Sequence, residues 1–269
     1  MARVASLHIH PVKSCRGIAV DSFRMTDTGP EWDRRWMIVT PRGMFITQRS
    51  HPAMATIAVA LDGGSLRLSA PGREALELPL DHGGPSWPVV VWNSECLGVD
   101  AGDEAAGWLS AVLGEPLRHV RQDPALPRHA DPRYVGTATQ RVSFADAYPV
   151  LLISRGSLAE LNGRLPAPIP MARFRPNVVV EGVAAYAEDA MARFRAGPVV
   201  LRGVKPCARC PIPTTDQETG ERDPRQEPLR TLATYRHDYA LKGVTFGQNC
   251  VVESGVGERL AVGDEFTIP

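Results

Sequence analysis

The 269-residue chain is 43% apolar and 22% charged, long enough to bury one large core or two smaller ones, which excludes a disordered or fibrous protein. Thirty basic side chains cancel thirty acidic ones, so no positive field exists to hold a nucleic acid polymer or an anionic membrane. Five cysteines, an odd number, do not make the disulfide framework of a secreted domain, and reduced thiols in a cytoplasmic protein are the expectation.

In chain order, Met1 to Cys15 alternates apolar and polar residues without an unbroken apolar stretch, which predicts a strand and not a signal peptide or membrane span. From Arg3 to about Asp100 strand follows strand, separated by turns at 27–30, 41–43, 62–64 and 71–72. Trp36 to Thr40, Ala55 to Leu61, Ser65 to Leu68 and Val89 to Trp92 are the clearest runs, and short strands at this spacing favour a barrel or sandwich. Asp103 to Leu113 opens with acids, spaces its apolar residues helically and stops at Gly114, a helix by start and stop. From Arg121 to about Gln140 three prolines and no sustained periodicity predict a linker, which divides the chain into domains 1–120 and 121–269.

Beyond it, Pro149 to Ile153 is a short apolar run, and Ser154 to Leu165 predicts a helix with Leu158, Leu161 and Leu165 on one stripe. Strands follow at Asn177 to Val180 and Pro198 to Leu201, then a short helix at Glu227 to Tyr235 and strand, turn, strand from Val251 to Pro269. The fold class is therefore mixed α+β and β-rich.

Cys207-Ala208-Arg209-Cys210 is the first chemical candidate. Two thiols at this spacing can share a metal, form a redox disulfide or pack a turn. Zinc wants a second close pair of ligands, which is missing from the sequence. A thioredoxin-like dithiol wants a helix start, whereas Pro211 and Pro213 predict an extended backbone. Lys205, Arg209, Thr214, Thr215 and Asp216 surround the pair with polar and cationic groups, which favours a thiolate over inert core cysteines. Arg173-Phe174-Arg175-Pro176-Asn177 places two cations on the same face of an extended segment, either as a solvated pair or as a fork for an anion. Pro11-Val12-Lys13-Ser14-Cys15 and Asp33-Arg34-Arg35-Trp36, each of a kind more often a turn than a site, together add a lysine, a hydroxyl and an arginine at strand ends, positions from which loops present functional groups.

Taken in order, these four stretches resemble the molybdenum-cofactor sulfurase C-terminal (MOSC) domain family that contains the mitochondrial amidoxime reducing component and its bacterial relatives. The resemblance is strongest over Lys205-Pro206-Cys207-Ala208-Arg209-Cys210, with Thr214-Thr215 and Glu227-Pro228-Leu229 after it. It is supported by Tyr186-Ala187-Glu188-Asp189, Phe246-Gly247-Gln248 and Val262-Gly263-Asp264. It implies an N-terminal β-barrel-like domain followed by a MOSC β-barrel domain with peripheral helices, and a molybdenum cofactor (Mo-molybdopterin) between them. Carried over residue by residue, Cys210 is the molybdenum ligand and the catalytic centre. Lys13, Ser14, Arg34, Arg175, Asn177 and Arg209 hold the pterin and its phosphate, and Asn249 is a further cofactor-side residue. The activity implied is reduction of small N-hydroxylated substrates, with electrons from a separate ferredoxin or cytochrome type donor and its reductase. A molybdenum-cofactor or sulfur carrier without such turnover is the alternative. Met191 stands where family members carry tryptophan, which predicts altered packing or a changed pocket wall.

Overall fold

A computed structural model describes residues 1–136 and 139–268. The fold is mixed α+β and dominated by strands. Its largest sheet runs in space through Ile18–Val20, Arg3–Ile9, Val178–Glu181, Val150–Ser154, Gly243–Ser254, Val199–Ala208, Arg193–Ala196 and Phe266–Thr267, and His237–Asp238 pairs with Gly243–Ser254. The first strand thus lies between its sequence neighbour Ile18–Val20 and the distant Val178–Glu181, antiparallel to both. This carries Lys13 and Ser14, just beyond it, to the second half of the chain.

The barrels that the resemblance implies are not closed as ladders among the described residues. The large sheet ends on Ile18–Val20 and Phe266–Thr267, and the start of Arg3–Ile9 meets the last segment only through a single bridge between Arg3 and Glu265 and bonds such as Val4 N–H to the Asp264 carbonyl at 2.9 Å. Phe266–Thr267 is only two residues long, too short to continue a ladder along Arg3–Ile9. The first half is likewise split, into a four-stranded sheet holding Trp36–Val39, Ser86–Val91, Ser94–Asp100 and Arg118–Gln122, and a three-stranded meander over 58–79. Trp36 is fully buried at the centre of that half, where Ile38, Met54, Leu66 and Leu109 pack around it. Burial of such a side chain contributes about 2–3 kcal/mol.

The helix over Asp103–Leu113 lies where its acids and Gly114 place it, and Gly114 takes the left-handed cap at φ 82°. Ser154 caps the helix Arg155–Arg164 by accepting from the Ser157 N–H. Three local expectations fail. Residues 52–56 form a 3-10 turn, so the strand begins only at Ala58. The stretch 121–140 is not a bare linker, because it finishes the strand Arg118–Gln122 and pairs Arg128–His129 with Arg141–Val142; its residues 137 and 138, and Pro269 of the last predicted strand, lie outside the described residues. Pro211 does not extend the chain but opens a turn over Ile212–Thr214, since its fixed φ suits the first position of a helix as well as an extended segment. No helix among the described residues is long and apolar enough to cross a membrane.

Candidate functional site

Lys13, Ser14, Arg34, Arg175, Asn177, Arg209, Cys210 and Asn249 all line one cavity of about 240 Å³. They come from five separate segments. Lys13 and Ser14 follow the first strand, and their backbone is tied to the next element by the Lys13 N–H to the Trp36 carbonyl at 2.8 Å. Arg34 enters from the turn before Trp36–Val39, Arg175 and Asn177 from the turn before Val178–Glu181, Asn249 from mid-strand, and Arg209 and Cys210 from beyond the end of Val199–Ala208. Ser14, Arg34 and Arg175 sit at φ 67°, 49° and 56°, the left-handed region that L side chains occupy at a cost of about 1–3 kcal/mol. That three cavity residues share it points to a geometry held for what they present.

Each group is held in place. Arg34 donates to Asp33 at 2.5 Å, to the Asn177 amide oxygen at 3.2 Å and to the Arg175 carbonyl at 3.2 Å. Asn177, 1% exposed, also accepts from the Leu151 N–H at 3.1 Å and donates to the His8 carbonyl at 3.3 Å. Its amide therefore positions Arg34 across the seam between the two halves. Arg175 is buried and donates to the Cys15 carbonyl at 2.6 Å, yet its Nη2 has no partner among the described residues. Burial, followed by repulsion from Arg34, lowers its pKa to about 10. Arg209 donates to the Cys207 sulfur at 3.2 Å and to the Phe174 carbonyl at 2.9 Å, and its Nε is likewise without a partner. Buried guanidinium donors left open in this way are costly unless an anion meets them, so the donor set fits the phosphate of a pterin cofactor.

Cys207 and Cys210 are half-buried, whereas Cys15, Cys96 and Cys250 are buried. Burial pushes the Cys15 thiol up to about 12 despite Arg175, and it also raises Cys96 and Cys250. These three are apolar fillers. The described residues contain no group of three or more His, Cys, Asp or Glu side chains able to hold a metal. A metal at Cys210 would therefore take its other donors from the cofactor.

Two charged cavity residues were not marked by the sequence. Arg49 follows no recognisable motif, and Asp146 is a single acid before an apolar run. Lys13, its side chain 5% exposed, donates to the Phe144 carbonyl at 2.8 Å and pairs with Asp146, which is 44% exposed at the cavity mouth. Arg49 holds the other Asp146 oxygen at 2.8 Å. Although burial works against its charge, Lys13 and Arg49 keep the Asp146 carboxyl well below the usual range. Lys13 itself is lowered to about 8 by burial, which Asp146 only partly offsets. Its positive charge is thus present below pH 8 and lost above it. Cofactor-free protein should bind sulfate, a dianion at all these pH values, about tenfold more weakly at pH 9 than at pH 7. Lys13→Met should bind weakly at both, and titration calorimetry reads the difference.

One further expectation is corrected, and another is narrowed to packing. Arg173 and Arg175 do not share a face, because Met171–Phe174 is a 3-10 turn and Arg175 is left-handed. Arg173 turns away to pair with Asp216 at 3.0 Å. Met191 does not reach the cavity. It is 2% exposed in the core of the large sheet, so its effect is on packing.

The comparisons define the class of this strand-rich protein by its domains. Residues 1–116 match the MOSC N-terminal beta barrel domain, and residues 139–267 match the MOSC domain. Mitochondrial amidoxime-reducing component 1 of Mus musculus is 35% identical over 93% of this chain and 78% of its own length. The Homo sapiens protein of the same name is 35% identical over 93% and 79%. Mitochondrial amidoxime reducing component 2 of Rattus norvegicus is 35% identical over 87% and 72%. The chain belongs to the MOSC-domain family of amidoxime-reducing components.

Proposed function

We propose that the protein is an oxidoreductase that holds a molybdenum cofactor in this cavity and reduces N-hydroxylated compounds such as amidoximes, hydroxylamines and N-hydroxylated bases. The observation that carries this reading is the meeting of Cys210 with Lys13, Arg34, Arg175 and Arg209 in one cavity. Membership of a family whose named members reduce amidoximes supports it. When bound, the cofactor supplies the two-electron redox chemistry that takes oxygen from nitrogen. The net reaction consumes two electrons and two protons, breaks the N–O bond, and yields the amidine and water. The electrons come from a separate donor of ferredoxin or cytochrome type with its reductase.

This chain's own contribution is ligation, anchoring and orientation. Cys210 offers a soft thiolate, which is deprotonated on metal binding and which a serine would not replace. Lys13, Arg34, Arg175 and Arg209 offset the desolvation of a phosphate with charge-assisted hydrogen bonds. Ser14 and Asn249 offer uncharged polar groups suited to a heterocycle edge. Asn177 holds the Arg34 fork in position through its amide oxygen.

Protein expressed in a host that makes the cofactor should convert benzamidoxime to benzamidine with a chemically reduced viologen as donor, followed by chromatography. Protein that holds molybdenum and pterin yet converts neither benzamidoxime nor an N-hydroxylated base would overturn the enzyme reading and leave a carrier.

A further inference from the structure

Against Arg49 and Asp146, two residues of the cavity lining, lies Trp92, which no part of the reaction described above uses. It is a large aromatic left 46% exposed, and it sits in the turn between the strands Ser86–Val91 and Ser94–Asp100 at φ 57°. Two-residue hairpin turns of this hand are the province of Asn, Asp and Gly. A tryptophan there bears the left-handed cost and gains little burial in return. Its surroundings point to the cavity. The Arg49 guanidinium lies 4.4 Å from the centre of the indole ring, the indole N–H donates to Asp146 at 3.4 Å, and Phe45 meets the ring edge-on at 5.2 Å. Arg49 and Asp146 both line the cavity that holds Cys210. Arg49 Nε and Nη1 are buried without a hydrogen-bond partner among the described residues, so the same side chain that braces the indole has donors to spare.

We infer that Trp92 and Arg49 form the substrate-recognition shelf of the site, selecting flat, π-delocalised N-hydroxylated substrates, amidoximes and N-hydroxylated bases, over non-planar aliphatic hydroxylamines. The inference rests on the proposed reductase reading and narrows it. Trp92 supplies a ring face and edge for stacking, and the Arg49 guanidinium beside it lends positive charge to the side of the cavity where the oxygen of the N–O group would lie. Charge gives the shelf a direction. An amidoxime arrives neutral, whereas the amidine it becomes is a cation at neutral pH, and Arg49, Lys13, Lys205 and Arg209 then disfavour its staying. Binding is thus built for substrate and against product.

The test compares wild type, Trp92→Ala and Trp92→Phe as cofactor-loaded proteins on benzamidoxime and on N-methylhydroxylamine. Trp92→Ala should lose about tenfold in kcat/KM on benzamidoxime through KM, and at most about twofold on N-methylhydroxylamine, while Trp92→Phe keeps most of the benzamidoxime rate. Without an electron donor nothing turns over, so binding is read separately: benzamidoxime should quench tryptophan fluorescence in wild type and bind Trp92→Ala about tenfold more weakly. Equal losses on the two substrates, or unchanged benzamidoxime binding in Trp92→Ala, would overturn the shelf and leave the reductase reading standing. Wild type that turns over neither compound would overturn the reductase reading, and the binding measurement would still decide the shelf.

Discussion

Cys210→Ala protein should reduce benzamidoxime at the rate of cofactor-free protein, a loss on the order of a thousandfold or more, equivalent to about 4 kcal/mol or more of transition-state stabilisation. The fold should be untouched. Cys210 is half-buried in the turn after Val199–Ala208, and substitutions at such positions usually stay within about 0.5 kcal/mol. Thermal unfolding by circular dichroism, run beside the turnover assay, separates the two effects. Cys210→Ser should be no better, because an alcohol is a harder and far less acidic donor than a thiol. Cys207→Ala should behave otherwise: Cys207 meets Arg209 at 3.2 Å and has no ligand role in this account, so its loss should retain the metal. Full turnover in Cys210→Ala would remove the thiolate from the mechanism.

Arg175→Ala should lose the cofactor while folding normally. In the cofactor-free protein the Arg175 cation is buried, repelled by Arg34 and left with an open Nη2. Removing it relieves that cost as well as losing the bond to the Cys15 carbonyl, and stability should change little. In the loaded protein the same change withdraws a fork from a buried anion, which typically costs about 2–5 kcal/mol, roughly thirtyfold to several thousandfold in retention. Arg175→Lys should not restore it, since an ammonium cannot reproduce the planar, two-pronged contact. Pterin released on denaturation, measured by fluorescence per chain, reads the retained fraction. Equal pterin content in wild type and both variants would place the phosphate elsewhere.

What could be read from the sequence, and what could not, divides by range. The helix over Asp103–Leu113 was legible because its acids, its spacing and Gly114 are all local signals. Cys210, Arg209 and Lys13 were legible because they stand in contiguous, recognisable stretches, and the cavity gathers every residue so chosen. The pairing of Arg3–Ile9 with Val178–Glu181 was not legible, since partners that distant in sequence are chosen by the whole sheet and leave no mark on either strand. Nor was the divergence of Arg173 and Arg175, which depends on a left-handed Arg175 that neither glycine nor asparagine announces. Arg49 and Asp146 were missed because an isolated charge beside an apolar run looks the same whether it faces solvent or a cavity mouth. Their role emerges only when Lys13 is seen pairing with Asp146.

The central claim is that a molybdenum cofactor binds through Cys210. Its most direct test is elemental analysis with pterin fluorescence on wild type and Cys210→Ala purified from a host that makes the cofactor. Molybdenum near one per chain with pterin is expected in wild type, and little molybdenum in the variant. Neither molybdenum nor pterin in wild type, or equal molybdenum in both proteins, would contradict it.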